Sequence, residues 1–196
     1  MFRNIFGAAA ALALSAGIWM AVDRPVLAYD DDKAKINIVD NCDPKDPGWA
    51  PTGGCLIKKG DVSVAEFGAF LFSSLGGGRP GGILIGHPSW RMQPSYASLE
   101  QGKTIHVTNV GGRVHTFTEV PEFGGGRVAG LNGGLAQVGA CLAPSVVNLS
   151  TGDTVDLKAL TPGLHRFQCC IHPWMRAAVR IGANGEVERE VEKEKD

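Results

Sequence analysis

The sequence predicts an all-β domain: a Greek-key β-sandwich with a short N-terminal accessory helix and a disulfide-closed loop. Three observations carry that expectation. From residue 103 onward, short runs alternate polar and apolar side chains, the period of a half-buried strand. Turn sequences separate several of them: Gly111-Gly112, Thr151-Gly152-Asp153, Thr161-Pro162-Gly163 and Ala183-Asn184-Gly185. Finally, 196 residues, 44% of them hydrophobic, suffice for one domain with a substantial core. Many short strands with polar turns in one such domain form a sandwich or barrel.

Taken in order, the chain opens on residues 5–22, almost wholly apolar, with Arg3 before them and Asp23 and Arg24 after; Val26 and Ala28 then fit a small-residue cleavage site. Residues 1–28 therefore read as an export signal, which puts the globular part in a periplasmic or extracellular setting. The alternative is an uncleaved anchor that tethers the chain to a membrane, since the run reaches the roughly 17-residue lower limit for crossing a bilayer. Residues 29–81 read as an N-terminal extension and 82–196 as the sandwich domain. Within the extension, Tyr29 to Lys35 is charged and expected to be mobile. Cys42 and Cys55 bracket a loop rich in turn residues, among them Asp46-Pro47-Gly48 and Thr52-Gly53-Gly54. Ser63-Val64-Ala65-Glu66 is a capping box; Val64, Phe67, Phe70 and Leu71 then share a helical face until Gly76-Gly77-Gly78 stops the run. Strands are expected at residues 103–110, 114–120, 145–149, 154–160, 164–170, 177–181 and 186–191.

Charge excludes one class of function. The formal net charge is -1, with 19 basic and 20 acidic side chains interspersed, which leaves no field for holding nucleic acid. Gly124-Gly125-Gly126 is not a phosphate loop, because no Lys-Ser/Thr follows it. Asn148-Leu149-Ser150 matches the glycosylation tripeptide only at chance level.

The chemistry concentrates near the C-terminal end. Cys169, His172 and Met175 stand three residues apart, and His115 lies well upstream in Val114-His115-Thr116-Phe117. A thiolate and a thioether favour Cu(I), imidazoles suit both oxidation states, and a trigonal His2Cys set with a weak axial Met is the arrangement of blue-copper centres. The quartet therefore marks one copper ion cycling between Cu(I) and Cu(II). Cys169, His172 and Met175 can face one ion only in a tight loop, which Pro173 favours by restricting the backbone. His115 must arrive from another strand.

In the strand 164–170, His165, Phe167 and Cys169 share one face and Leu164, Arg166, Gln168 and Cys170 the other. The adjacent cysteines can thus take different roles. With Cys169 on the metal, four of the five cysteines remain, and four allow three connectivities. The expected pairs are Cys42–Cys55 and Cys141–Cys170; the alternative for Cys170 is a redox-active cysteine vicinal to Cys169. His87-Pro88-Ser89-Trp90-Arg91-Met92 loosely echoes the ligand loop but has no thiolate nearby in sequence. His106 and His165 are expected to pack or to support the site.

From about Met92 to Ile181 the chain resembles the cupredoxin family, the plastocyanin- and amicyanin-like blue copper proteins. Pro162-Gly163-Leu164-His165-Arg166-Phe167-Gln168-Cys169 matches the family's Pro-Gly-x-Tyr-x-Tyr-x-Cys approach to the thiolate, and His172-Pro173-Trp174-Met175 closes a short loop. The resemblance implies His115, Cys169, His172 and Met175 as copper ligands and an exported one-electron carrier without a substrate-converting site. It also implies redox protein partners docking transiently near His172, Pro173 and Trp174. A copper-buffering or delivery module is the competing function, and a copper-dependent enzyme a third. Three departures stand out. Cys170 and Ile171 occupy positions where the family often has Ser or Thr and then Pro. Thr116 replaces an Asn that hydrogen-bonds near the sulfur. Residues 36–90 have no counterpart in minimal family members.

Overall fold

The computed structural model describes residues 29–30, 33–72 and 89–183. The expected export signal, the Gly76-Gly77-Gly78 stop, His87 and the strand 186–191 lie outside the described residues. Among the described residues there are nine strands: β1 (Tyr29–Asp30), β2 (Lys33–Asp40), β3 (Trp90–Gln93), β4 (Tyr96–Glu100), β5 (Thr104–Asn109), β6 (Thr118–Val120), β7 (Thr154–Leu157), β8 (Gly163–Gln168) and β9 (Arg176–Gly182). Among the described residues two α-helices accompany them, α1 (Val64–Phe72) and the single turn α2 (Gly139–Leu142), with short 3-10 helices at Pro47–Thr52 and Ala129–Leu131.

The strands form two mixed sheets. One has the order β1-β2-β5-β7, with β3 also pairing to β2, and the other the order β4-β9-β8-β6. From β3 to β8, successive strands alternate between the sheets, and each sheet contains one parallel pair, β2 with β5 and β4 with β9. Parallel neighbours need crossovers, and chain connections that pass from sheet to sheet give the β-sandwich the connectivity expected of a Greek-key type. Ile36, Ile38, Ile105 and Val107 from the first sheet meet Leu99, Phe167, Val179 and Ile181 from the second in one continuous core.

β2 falls within residues 29–81, read from the sequence as an N-terminal extension. Its pairing with both β3 and β5 places it inside the sandwich, and Lys33 to Lys35, expected to be mobile, begin it. The physical reason is alternation: Lys33, Lys35 and Asn37 face outward while Ala34, Ile36 and Ile38 are buried, the period-2 signature of a half-buried strand. β3 and β4 were likewise not expected. Conversely, the strands read at 114–120 and 145–149 contract to β6 and an isolated bridge between His115 and Leu149. There the backbone donors of Gly112 and Arg113 bond to the side chain of Asp40 instead of a neighbouring strand.

The helix start is as expected. Ser63 N–H donates to Glu66 Oε2 at 2.8 Å and Glu66 N–H donates to Ser63 Oγ at 3.2 Å, the reciprocal bonding of a capping box. Val64 N–H adds a bond to Asp46 Oδ2, tying α1 to the loop that the Cys42–Cys55 disulfide closes. The second disulfide joins Cys141 of α2 to Cys170. Among the described residues, no helix is long and apolar enough to cross a membrane.

Candidate metal centre

Cys169 is the free cysteine among the described residues, fully buried just past the end of β8. The chain turns sharply there, and its backbone closes the loop: Cys169 N–H donates to the Met175 carbonyl and Met175 N–H to the His172 carbonyl, both at 2.9 Å. His115 arrives from the β5–β6 connection, locked by reciprocal backbone bonds with Leu149 at 3.0 and 2.8 Å. Asn109, wholly buried, shapes that connection; its Nδ2 donates to the carbonyls of Arg113 and Leu149, both at 2.8 Å.

These elements bring three of the four expected ligands together. Donor atoms of His115, Cys169 and His172 all lie within 4.8 Å of one another. Cys169 Sγ is 3.7 Å from Nδ1 of each histidine, and the two Nδ1 atoms are 3.2 Å apart. The sulfur also accepts the backbone N–H of Thr116 at 3.4 Å and of His172 at 3.5 Å. Thr116 therefore supplies the bond near the sulfur, and its hydroxyl accepts Cys170 N–H at 2.8 Å. Met175 is completely buried, with its backbone closing the ligand loop.

Cys170 points away from the site. Its disulfide to Cys141 lies in a separate small cluster with Val120, as the strand alternation required. His106 and His165 lie apart from the trio: His106 pairs with Asp156 at 2.5 Å and His165 with Glu119 at 2.6 Å, both toward the surface.

Electrostatics favour an ionised sulfur. Burial pushes the Cys169 thiol up, but its contacts with His115 and His172 outweigh this and hold it well below the usual thiol range. Burial depresses His115, yet bonding to the Asp40 carboxylate and the Cys169 sulfur carries it up to about 9. His172 is lowered, first by burial and also by the neighbouring charge of His115, against the pull of Cys169. These shifts favour a thiolate at Cys169 and make His115 hold a proton more strongly than His172, so binding a metal at Nδ1 of His115 competes with a proton there.

Two features were missed from sequence. Asp40, 75 residues before His115, accepts its Nε2–H at 2.7 Å. Its signal was available as an acid at an inward position of an alternating run, once β2 is recognised. The second is an aromatic cover. Phe67 of α1 stands edge-on to His172 with ring centroids 6.4 Å apart, and packs on Trp49, Trp90 and Trp174. Pro173 and Trp174, expected to form a docking surface, are buried, Trp174 against Phe67. Beside His172 an apolar cavity of about 480 Å³ remains, walled by Trp49, Phe67, Val114, Val128 and Ile171.

The sandwich of two mixed sheets holds a buried thiolate between two imidazoles, the arrangement that the sequence resemblance implied. Its donor set fits copper: the sulfur is soft and ionised, no carboxylate enters the trio, and both imidazole Nδ1 atoms face the sulfur. Similar solved structures include a purple cupredoxin from Nitrosopumilus maritimus, 18% identical over 53% of this chain and 94% of that one, TM-score 0.36. A mutant fern plastocyanin is 16% identical over 76% of this chain and 99% of its own, TM-score 0.36. A reduced amicyanin mutant is 18% identical over 44% and 69%, TM-score 0.31. Likeness this distant adds nothing to what the site itself displays. No protein-family model and no curated protein matches the chain.

Proposed function

We propose that the protein is an exported type 1 (blue) copper protein that carries one electron, and that His115, Cys169, His172 and Met175 would hold the metal. The observation that supports this most is the Cys169 sulfur, buried between two imidazoles and accepting two backbone N–H groups. Copper bound there supplies a one-electron Cu(II)/Cu(I) couple. The chain's own contribution is to keep the donors still. His115 is tied to Leu149 and Asp40, Cys169 to Thr116 and the Met175 backbone, so both oxidation states meet the same cage.

In this role the protein converts no substrate. Redox protein partners dock transiently on the His172 side, where Val114 and Val128, 39% and 38% exposed, supply apolar surface in place of the buried Pro173 and Trp174. A small, weak interface suits such encounters. Two disulfides support a periplasmic or extracellular location. Copper buffering or delivery needs a donor that a partner can reach, and all three donors here are buried.

Adding Cu(II) tests the reading. It should produce an intense visible thiolate-to-copper band that bleaches on reduction and returns on reoxidation without loss of metal. Cys169→Ser should abolish that band, because a hydroxyl is a hard, neutral donor. Retention of the full band in the variant would sink the site, and release of copper on each reduction would favour delivery.

A further inference from the structure

β2 buries every second side chain, and its last inward position carries an acid where the three before it carry Ala34, Ile36 and Ile38. A carboxylate with no exposed side-chain surface is costly unless its lone pairs are met. Asp40 meets them four times. Oδ1 accepts the N–H of Gly112 at 2.9 Å and of Cys42 at 3.4 Å; Oδ2 accepts the N–H of Arg113 at 2.9 Å and His115 Nε2–H at 2.7 Å. The facing turn is shaped to admit it, since a Cβ on Gly111 would collide with the carboxylate and one on Gly112 with the Cys42–Cys55 sulfurs. That disulfide begins two residues after Asp40 and anchors the end of β2.

An ionised carboxylate only accepts hydrogen bonds. The Nε2 proton of His115 is therefore the one that is kept, and Nδ1, the atom that faces Cys169 and His172, is the nitrogen whose proton a metal would replace and whose lone pair it would take. His172 has no equivalent support; its Nε2 has no hydrogen-bond partner among the described residues, and its ring lines the cavity. Carboxylate partners of ligating histidines fix the tautomer and raise ligand basicity. In a buried site their charge is weakly screened.

We propose that Asp40 is a positioning residue of the copper site: it holds His115 as the Nε2–H tautomer and, through its charge, favours Cu(II) over Cu(I). The inference rests on the reading that copper binds at His115, Cys169 and His172. Asp40→Asn keeps the size of the side chain and an oxygen for His115 but removes the charge. In the copper-loaded protein this substitution should shift the Cu(II)/Cu(I) equilibrium toward the reduced form about tenfold, a rise in midpoint of about 59 mV for a one-electron couple. A merely structural role would lower the melting temperature and leave the potential in place.

Because the Asn amide must face at least one backbone N–H, the variant loses stability, so a second measurement uses the wild type. Nitrogen-15 NMR of the diamagnetic Cu(I) form should show His115 ligated through Nδ1, with a slowly exchanging proton on Nε2. Ligation through Nε2, or rapid exchange of that proton, would overturn the inference. So would a normal visible band with an unmoved midpoint in Asp40→Asn, which would leave the copper reading standing. A wild type without a visible band would overturn both.

Discussion

Replacing Phe67 with alanine separates an aromatic cover that is part of the folded core from one that merely rests on it. The ring is 9% exposed, with centroids 4.8 Å from Trp90, 5.5 Å from Trp49, 6.0 Å from Trp174 and 6.4 Å from His172. Truncating a buried Phe to Ala costs about 3–5 kcal/mol, with the value set by how much cavity persists. Phe67 already borders the open cavity beside His172, so fewer contacts are lost on that side and the cost lies near the lower end, about 3 kcal/mol. At about 2–4 °C per kcal/mol for a chain of this size, melting should fall by about 6–12 °C. The copper band should survive, because the bonds that orient His115 and Cys169 come from Asp40, Leu149, Thr116 and the Met175 carbonyl. Thermal melts of the copper-loaded and metal-free proteins, read beside the visible spectrum, measure both effects. An unchanged melting temperature would refute the packing argument. An unchanged melt with a lost band would mean that Phe67 orients His172 directly.

Two further outcomes follow from features outside the metal ligands. Cys141→Ala with Cys170→Ala removes a disulfide spanning 29 residues of sequence, which should cost about 3–4 kcal/mol by loop-closure entropy; denaturant melts should show this with the copper band intact, and loss of the band at unchanged stability would contradict the separation of Cys170 from the site. His165 concerns pH: burial lowers its pKa, but the Thr161 carbonyl and Glu119 carboxylate, accepting from its two ring nitrogens, raise it above the ordinary value. With the folded-state pKa above the unfolded one, the contribution to stability is fully present below pH 6.5 and is lost as pH rises through the folded value. Glu119 is half-exposed, which screens and weakens the pair. His165→Gln should therefore narrow its stability deficit from pH 6 toward alkaline pH in urea melts; a deficit that grows over that range would show the sign to be wrong.

Local chemistry made much of the site legible. The spacing of Cys169, His172 and Met175 and the softness of their atoms are properties of seven consecutive residues. The capping box at Ser63 and Glu66 is equally local, and the opposite faces of Cys169 and Cys170 follow from strand alternation alone. Both disulfides formed as expected, the first across a short turn-rich loop. What required the tertiary structure is contact between distant segments. The parallel pairing of β2 with β5 carries Asp40 to His115 across 75 residues, and nothing in the neighbourhood of either residue specifies the other. Burial of Trp174 likewise depends on where α1 docks, because an apolar side chain on a ligand loop suits an exposed rim or a covered core equally well until the covering element is placed. Ligand identity is written in side-chain chemistry and short spacing; the groups that orient the ligands and shield them from solvent are decided by long-range chain closure.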